Sequence, residues 1–220
     1  MKQIFTFLFL FLLLTHAYTQ PGTLDATFGS SGKIHTDFGL TTDEAHAVLV
    51  QPDGKIVSAG YSHLNAYSRS ALVRNNPDGS PDATFGTNGK VITNFGRRTS
   101  INALALQSDG KILAAGLINS DINFSDLLVT RYLANGNPDN TFDEDGSAIL
   151  TIRNFNQVTA VAIQTDGKIV LAGQSTNGLV MEFTLTRLNM NGSLDVSFNG
   201  TGHVITHIGA SNHSSYAVSE

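Results

Sequence analysis

Three runs along the chain share one arrangement of apolar and polar positions. Residues 45–51 (AHAVLVQ), 101–107 (INALALQ) and 158–164 (VTAVAIQ) align position by position. Each carries apolar residues on both alternating faces, the pattern of a strand covered on both sides. Each ends after seven residues at a turn signal, too soon for a helix. The turns are Pro52-Asp53-Gly54, Ser108-Asp109-Gly110 and Thr165-Asp166-Gly167. Aspartate suits the second turn position, and glycine takes the left-handed position of a bulged hairpin.

A second strand follows each turn, at residues 55–60, 111–116 and 168–173, and each ends Ala-Gly. Small residues there predict the close approach of a neighbouring backbone. A third strand closes on Arg74, Arg131 and Arg187, each followed by a hairpin-type turn at Pro77-Asp78-Gly79, Ala134-Asn135-Gly136 and Met190-Asn191-Gly192. A block of the form Asp-x-Thr/Ser-Phe comes next. Its aspartates, Asp25, Asp82, Asp139 and Asp195, stand 57, 57 and 56 residues apart. Fourth strands are expected at residues 33–38, 90–95, 147–152 and 203–208.

Two independent markers therefore keep one period, and the unit has four strands. That predicts an all-β chain, a β-propeller of four-stranded antiparallel blades. The two linked signatures, Asp-Gly-Lys-Ile leading to Ala-Gly and Arg-x-Asn leading to Asp-x-Thr-Phe-Gly, resemble the delta-60 repeat of bacterial secreted proteins. The resemblance runs from about residue 22 to residue 219. It implies a propeller scaffold in an exported protein and no particular reaction. The third copy of the second signature departs from it, with Asp143-Glu144-Asp145-Gly146 in place of Gly-x-x-Gly.

The blade boundaries expected are 40–96, 97–152 and 153–209, with a lone fourth strand within 21–39 and the start of a further blade at 210–220. About three and a half repeats make an incomplete ring. Three resolutions stand open: a piece of a longer propeller, copies assembling with one another, or closure through the two partial elements. Residues 1–20 are expected to lie outside the fold. One lysine precedes an eleven-residue stretch at 4–14 that is almost unbroken Phe and Leu, and a short polar stretch follows. That is a signal peptide, too short to span a bilayer. Secretion or display at the cell surface follows. The chain has no cysteine, so burial and strand pairing must hold it together. Its net charge of −5 is spread, and no basic run suggests a nucleic-acid surface.

Residues present in every repeat are expected to serve the blade. Lys55, Lys111 and Lys168 read as exposed hairpin lysines. The repeated aspartates read as caps of Asx-type turns, with Arg74, Arg131 and Arg187 beside them or on turn carbonyls. Calcium is the metal to weigh, at Asp78 with Asp82, Asn135 with Asp139, and Asn191 with Asp195. The dense acidic loop that calcium favours is missing, so no metal or other cofactor is expected. His35, His46, His63, His203, His207 and His213 lack zinc spacing. No catalytic motif appears, so no catalytic residue is assigned and the chain is not expected to be an enzyme. The inter-strand stretches 61–70, 117–126 and 174–182 read as loops suited to a protein or carbohydrate ligand. The function expected is that of an exported scaffold or binding module; the alternative is a polysaccharide-active lyase or hydrolase using an end face. Mass spectrometry of the exported protein should show an N-terminus between residues 18 and 21; recovery of the intact chain would remove the signal peptide.

Overall fold

The computed structural model describes residues 22–39, 42–64, 67–121, 124–178 and 180–207. The expected signal peptide and the expected start of a further blade at 210–220 lie outside them. Among the described residues twelve strands form three antiparallel four-stranded units in chain order, the second and third joined into one eight-stranded sheet by a single parallel bridge between Ser125 and Phe155. Blade 1 holds β1 (Thr42–Val50), β2 (Ile56–Leu64), β3 (Tyr67–Asn75) and β4 (Lys90–Thr93). Blade 2 holds β5 (Thr99–Leu106), β6 (Ile112–Asp121), β7 (Phe124–Tyr132) and β8 (Ser147–Leu150). Blade 3 holds β9 (Phe155–Ile163), β10 (Ile169–Thr176), β11 (Met181–Leu188) and β12 (His203–Thr206). No described residue is helical. Among the described residues the sheets do not close into a ring and form a propeller arc.

First strands touch across blades, β1 with β5 and β5 with β9, and therefore stand at the axis. Two cores fill the gaps. Between blades 1 and 2, Val57, Leu72 and Phe85 meet Ile112, Leu128 and Tyr132. Tyr132 is buried, which pushes its phenol up to about 12, and its hydroxyl shares a 2.6 Å hydrogen bond with Thr93 of blade 1. Between blades 2 and 3, Leu113, Val129 and Phe142 meet Ile169, Leu171 and Leu188. Successive side chains on a strand point to opposite faces, so one blade feeds both cores. Leu104 and Leu106 pack towards blade 1 while Ala105 packs towards blade 3.

The second strand turns where the sequence predicts. The Gln51 carbonyl accepts from the Gly54 amide at 2.9 Å, and Gly54 has φ of 81°. The close approach expected at the Ala-Gly pairs has a definite partner. Each first strand carries a β-bulge that leaves His46, Asn102 or Thr159 out of register. The bulge pushes a carbonyl towards the glycine opposite. A Cβ on Gly60, Gly116 or Gly173 would lie 2.0, 1.9 or 1.9 Å from the oxygens of Glu44, Ser100 or Gln157.

Three expectations need correction. The stretches 61–70, 117–126 and 174–182 are mostly strand, because β2–β3, β6–β7 and β10–β11 stay paired far beyond the glycines, as in Tyr61 with Ser70. Residues 33–38 form only isolated bridges at Lys33, because no described third strand lies beside them to pair with. First strands are not all covered on both sides: β1 is bare on the face away from blade 2, with Val48 69% exposed.

Gly116→Ala should lower unfolding free energy by about 3 kcal/mol or more, since backbone must move to admit the methyl group. Gly110→Ala, where nothing lies within 4 Å of the new Cβ, should cost about 1 kcal/mol for its left-handed φ alone. Urea titration of the two variants compares them, and equal losses would contradict the bulge argument.

Candidate functional site

Two sets of polar side chains organise the arc, and they differ in kind. The first repeats in every blade. In blade 1, Asp82 Oδ1 accepts from the Thr84 amide and hydroxyl at 3.0 and 2.7 Å. Its Oδ2 accepts from Arg74 Nε at 2.7 Å and pairs with Lys55 Nζ at 3.2 Å. Blade 2 repeats this with Asp139, Thr141, Arg131 and Lys111, and blade 3 with Asp195, Ser197, Arg187 and Lys168. Each guanidinium also lies over the phenylalanine of the same block, 4.5 to 4.7 Å from the centroids of Phe85, Phe142 and Phe198. The expected Asx turns and arginine contacts are thus both present. The lysines differ from expectation: they are half-buried over these aspartates, because the hairpin leans its Lys stem across the block.

The arginine joins blades as well. Arg74 Nη1 donates to the Ala134 carbonyl at 2.6 Å, and Arg131 Nη1 donates to the Met190 carbonyl at 2.7 Å. Both carbonyls belong to the following blade. The block's own backbone adds a second tie, from the Gly86 amide to the Asn135 carbonyl and from the Asp143 amide to the Asn191 carbonyl, each 2.8 Å. Blade 2 makes this tie without glycine, and Asp143 and Glu144 take φ of 46° and 71° to do so. Burial pushes the Asp143 carboxyl up, helped by Asp145 and Glu144.

Several of the oxygens weighed for calcium accept hydrogen bonds within these turns. Asp78 Oδ1 accepts from the Ser80 amide and hydroxyl. Asn135 Oδ1 accepts from the Asn137 amide, and Asn191 Oδ1 from Ser193. Among the described residues no three His, Asp or Glu side chains gather as a metal site. His203 sits in β12, while His207 lies past its end and pairs with Glu182 at 3.5 Å. His213 lies outside the described residues.

The second set lies along the axis and changes from blade to blade. It is built on the bulges. His46 Nδ1 lies 3.2 Å from Asn102 Oδ1 and 3.3 Å from Ser100 Oγ, while Asn102 Nδ2 donates to the Val158 carbonyl at 2.9 Å. Two of the three bulge residues, His46 and Asn102, therefore link successive blades. Beside them stand the cross-strand pairs Glu44–Tyr61, Ser100–Leu117 and Gln157–Gln174. Glu44 Oε2 lies 3.4 Å from His46 Nε2, and the His46 and Tyr61 rings meet edge-on at 5.5 Å. The Tyr61 hydroxyl donates to Glu44, which holds the Glu44 carboxyl below its usual range and pushes the Tyr61 phenol up. Gln174 Nε2 donates to Gln157 Oε1 at 2.9 Å.

Tyr61 and Gln174 fall in the stretches expected to suit a ligand, though as strand and not loop, whereas His46 and Asn102 lie outside those stretches and match no motif. The available signal was the aligned column itself: position 46 reads His, Asn, Thr across three otherwise similar strands.

Blades of four antiparallel strands, tied by one repeated ionic block, define a β-propeller repeat protein. A family model described as "Domain of unknown function (DUF5122) beta-propeller" matches the chain three times, at residues 51–85, 107–142 and 164–198. Each match runs from the first hairpin through the repeated Asp-x-Thr/Ser-Phe block, so three stretches of the chain are similar to that β-propeller repeat. No curated protein matches it.

Burial pushes the Asp139 carboxyl up, but Thr141 and Arg131 outweigh it, so its pKa falls below the usual range; Asp82 is lowered likewise. Hydrogen bonds from Ser197 and Lys168 lower Asp195 as well. A carboxyl with a depressed folded-state pKa binds fewer protons than in the unfolded chain, near pH 4 and below. Its contribution is complete above about pH 5 and drains away as the medium is acidified through the folded-state pKa. Arg131→Met should cost about 3 kcal/mol, the low end for breaking a shielded pair, because this pair sits close beneath the surface. The variant should also lose stability less steeply between pH 5 and 2 than the parent. Denaturation midpoints across that range test both, and parallel pH curves would contradict the assignment.

Proposed function

We propose that this protein is an exported β-propeller scaffold whose axial face binds a polar ligand, without catalysing a reaction. The observation that carries the reading is the contrast between the two sets of side chains. Charges shared by all blades are spent on holding blades together. The groups left half exposed at the axis, Glu44, His46, Tyr61, Ser100 and Asn102, belong to different blades and differ at matching positions. Donors, acceptors and one aromatic ring on a rigid support suit a carbohydrate or a polar loop of another protein. The order and spacing of the two signatures favour the delta-60 repeat among propeller families. The apolar run at 4–14 supports export, to the medium or the cell surface.

One arrangement speaks for the enzymatic alternative, a polysaccharide lyase or hydrolase. Glu44, His46 and Tyr61 bring a carboxylate, an imidazole and a phenol together. Yet Glu44 is the only carboxylate in that group, where a glycoside hydrolase uses two. The upward shift of Tyr61 also works against its serving as a base.

Glycan-array binding by the purified protein should give a discrete set of hits. A Glu44→Gln, His46→Ala double variant should weaken them at least about tenfold while leaving the denaturation midpoint nearly unchanged, since these groups are half exposed. Release of new sugar ends from a bound polysaccharide by the parent and not the variant would turn the reading to the enzyme. Hits that survive the double substitution would move the binding face elsewhere.

A further inference from the structure

The two outer faces of the arc are halves of an interface that the fold already builds twice. On the side facing the following blade, Leu72 and Val129 hold matching positions and are buried. Leu185 matches them on blade 3 and is 39% exposed. Arg74 and Arg131 spend Nη1 on a carbonyl of the following blade. Arg187 keeps Asp195 and Phe198, but among the described residues its Nη1 has no acceptor. Its side chain is 19% exposed, against 5% and 7% for the other two.

The opposite face of blade 1 is the counterpart. Leu104 and Leu106 of blade 2 pack onto blade 1, whereas the matching Val48 and Val50 are 69% and 65% exposed. Ile112, Ala114 and Leu128 are fully buried against blade 1, whereas the matching Ile56, Ser58 and Ala71 line a cleft of about 240 Å³. Pro77 holds the place in the turn that Ala134 and Met190 hold as arginine acceptors.

We propose that the outer face of blade 3 docks on the outer face of blade 1 of a second copy, extending the arc head to tail. Continuity with the internal interfaces favours a second copy over residues 208–220 of the same chain. Leu72 and Arg74 are satisfied by the second strand, third strand and turn of the next blade, at Ile112, Leu128 and Ala134. Residues 216–218 align in sequence with a first strand and not with any of these elements. Ser58 and Asn75 stand where blade 3 has Leu171 and Leu188, so the contact between copies is more polar than the one inside the chain and is reversible.

One resident gives way. Residues 24–38 imitate the end of a preceding blade on this face. Asp25 Oδ1 caps the Thr27 amide and hydroxyl, and the Gly29 amide donates to the Asp78 carbonyl at 2.8 Å, as the Gly86 amide does to Asn135. An incoming blade 3 brings its own version at Asn199 and β12, so residues 24–38 are a cap that docking displaces.

Such a contact joins two different patches, which gives it a signature that a two-fold dimer lacks. The full chain, followed by sedimentation equilibrium, should gain mass with concentration beyond the dimer or up to a closed ring. Leu185→Asp and Val48→Lys should each weaken association at least about tenfold, since each places a charge at the centre of one patch. Mixed together, the two variants should form a one-to-one dimer and stop there, because each keeps one sound face. That complementation also shows both variants folded. Ile34→Ser, which loosens the cap where Ile34 meets Gly79, should strengthen association. A monomer at every concentration, or a mixture of the two variants that stays monomeric while the parent associates, would overturn the proposal.

Discussion

The contact on which the rest depends is the carboxylate at Asp82, Asp139 and Asp195. One oxygen closes its own turn on Thr84, Thr141 or Ser197, and the other receives arginine and lysine. A shielded charge is costly unless every lone pair is met. Here the demand is met from three parts of one blade: the third strand, the first hairpin and the turn itself. In blades 1 and 2 the arginine's Nη1 reaches the next blade, while its Nη2 returns to the threonine of its own turn. A single residue thus fixes the blade's own corner and the spacing to its neighbour. With no disulfide available, this ionic block and the apolar gaps between blades carry the architecture.

The bulge is the second constraint, and it turns scaffold into surface. Glycine at 60, 116 and 173 yields room for a displaced carbonyl in the first strand. The displaced residue then stands out of register at the axis. Because the bulge is set by backbone and glycine, the side chain at its crest is free to vary. His46, Asn102 and Thr159 use that freedom. The arc therefore separates its tasks: uniform charges hold it together at the blade corners, and varied polar groups face the axis.

The outer faces follow from the same repetition. An interface made twice inside the chain leaves one unmatched half at each end of the described arc. Open strand edges and apolar faces are a hazard in water. Residues 24–38 cover part of one of them by copying the corner of a blade, including its Asx turn and its amide tie.

Much of the fold could be read from the residues, because a blade announces itself locally. Asp-Gly turns, a strand period of two and a repeated arginine are all short-range signals, and their recurrence every 57 residues or so is independent evidence for one unit. The pairing of Arg74 with Asp82 was legible too, since eight residues and one turn separate them. Tertiary structure alone decided the rest. Hairpin length past Gly60 depends on a partner strand, not on the propensity of polar residues such as Ser62 and Ser68. The lysine contacts need two hairpins to lean together. His46 and Asn102 lie 56 residues apart in sequence and meet because a bulge in each of two blades faces the axis. Chemistry confined to one turn leaves its mark in sequence; chemistry shared between blades exists only once they are packed.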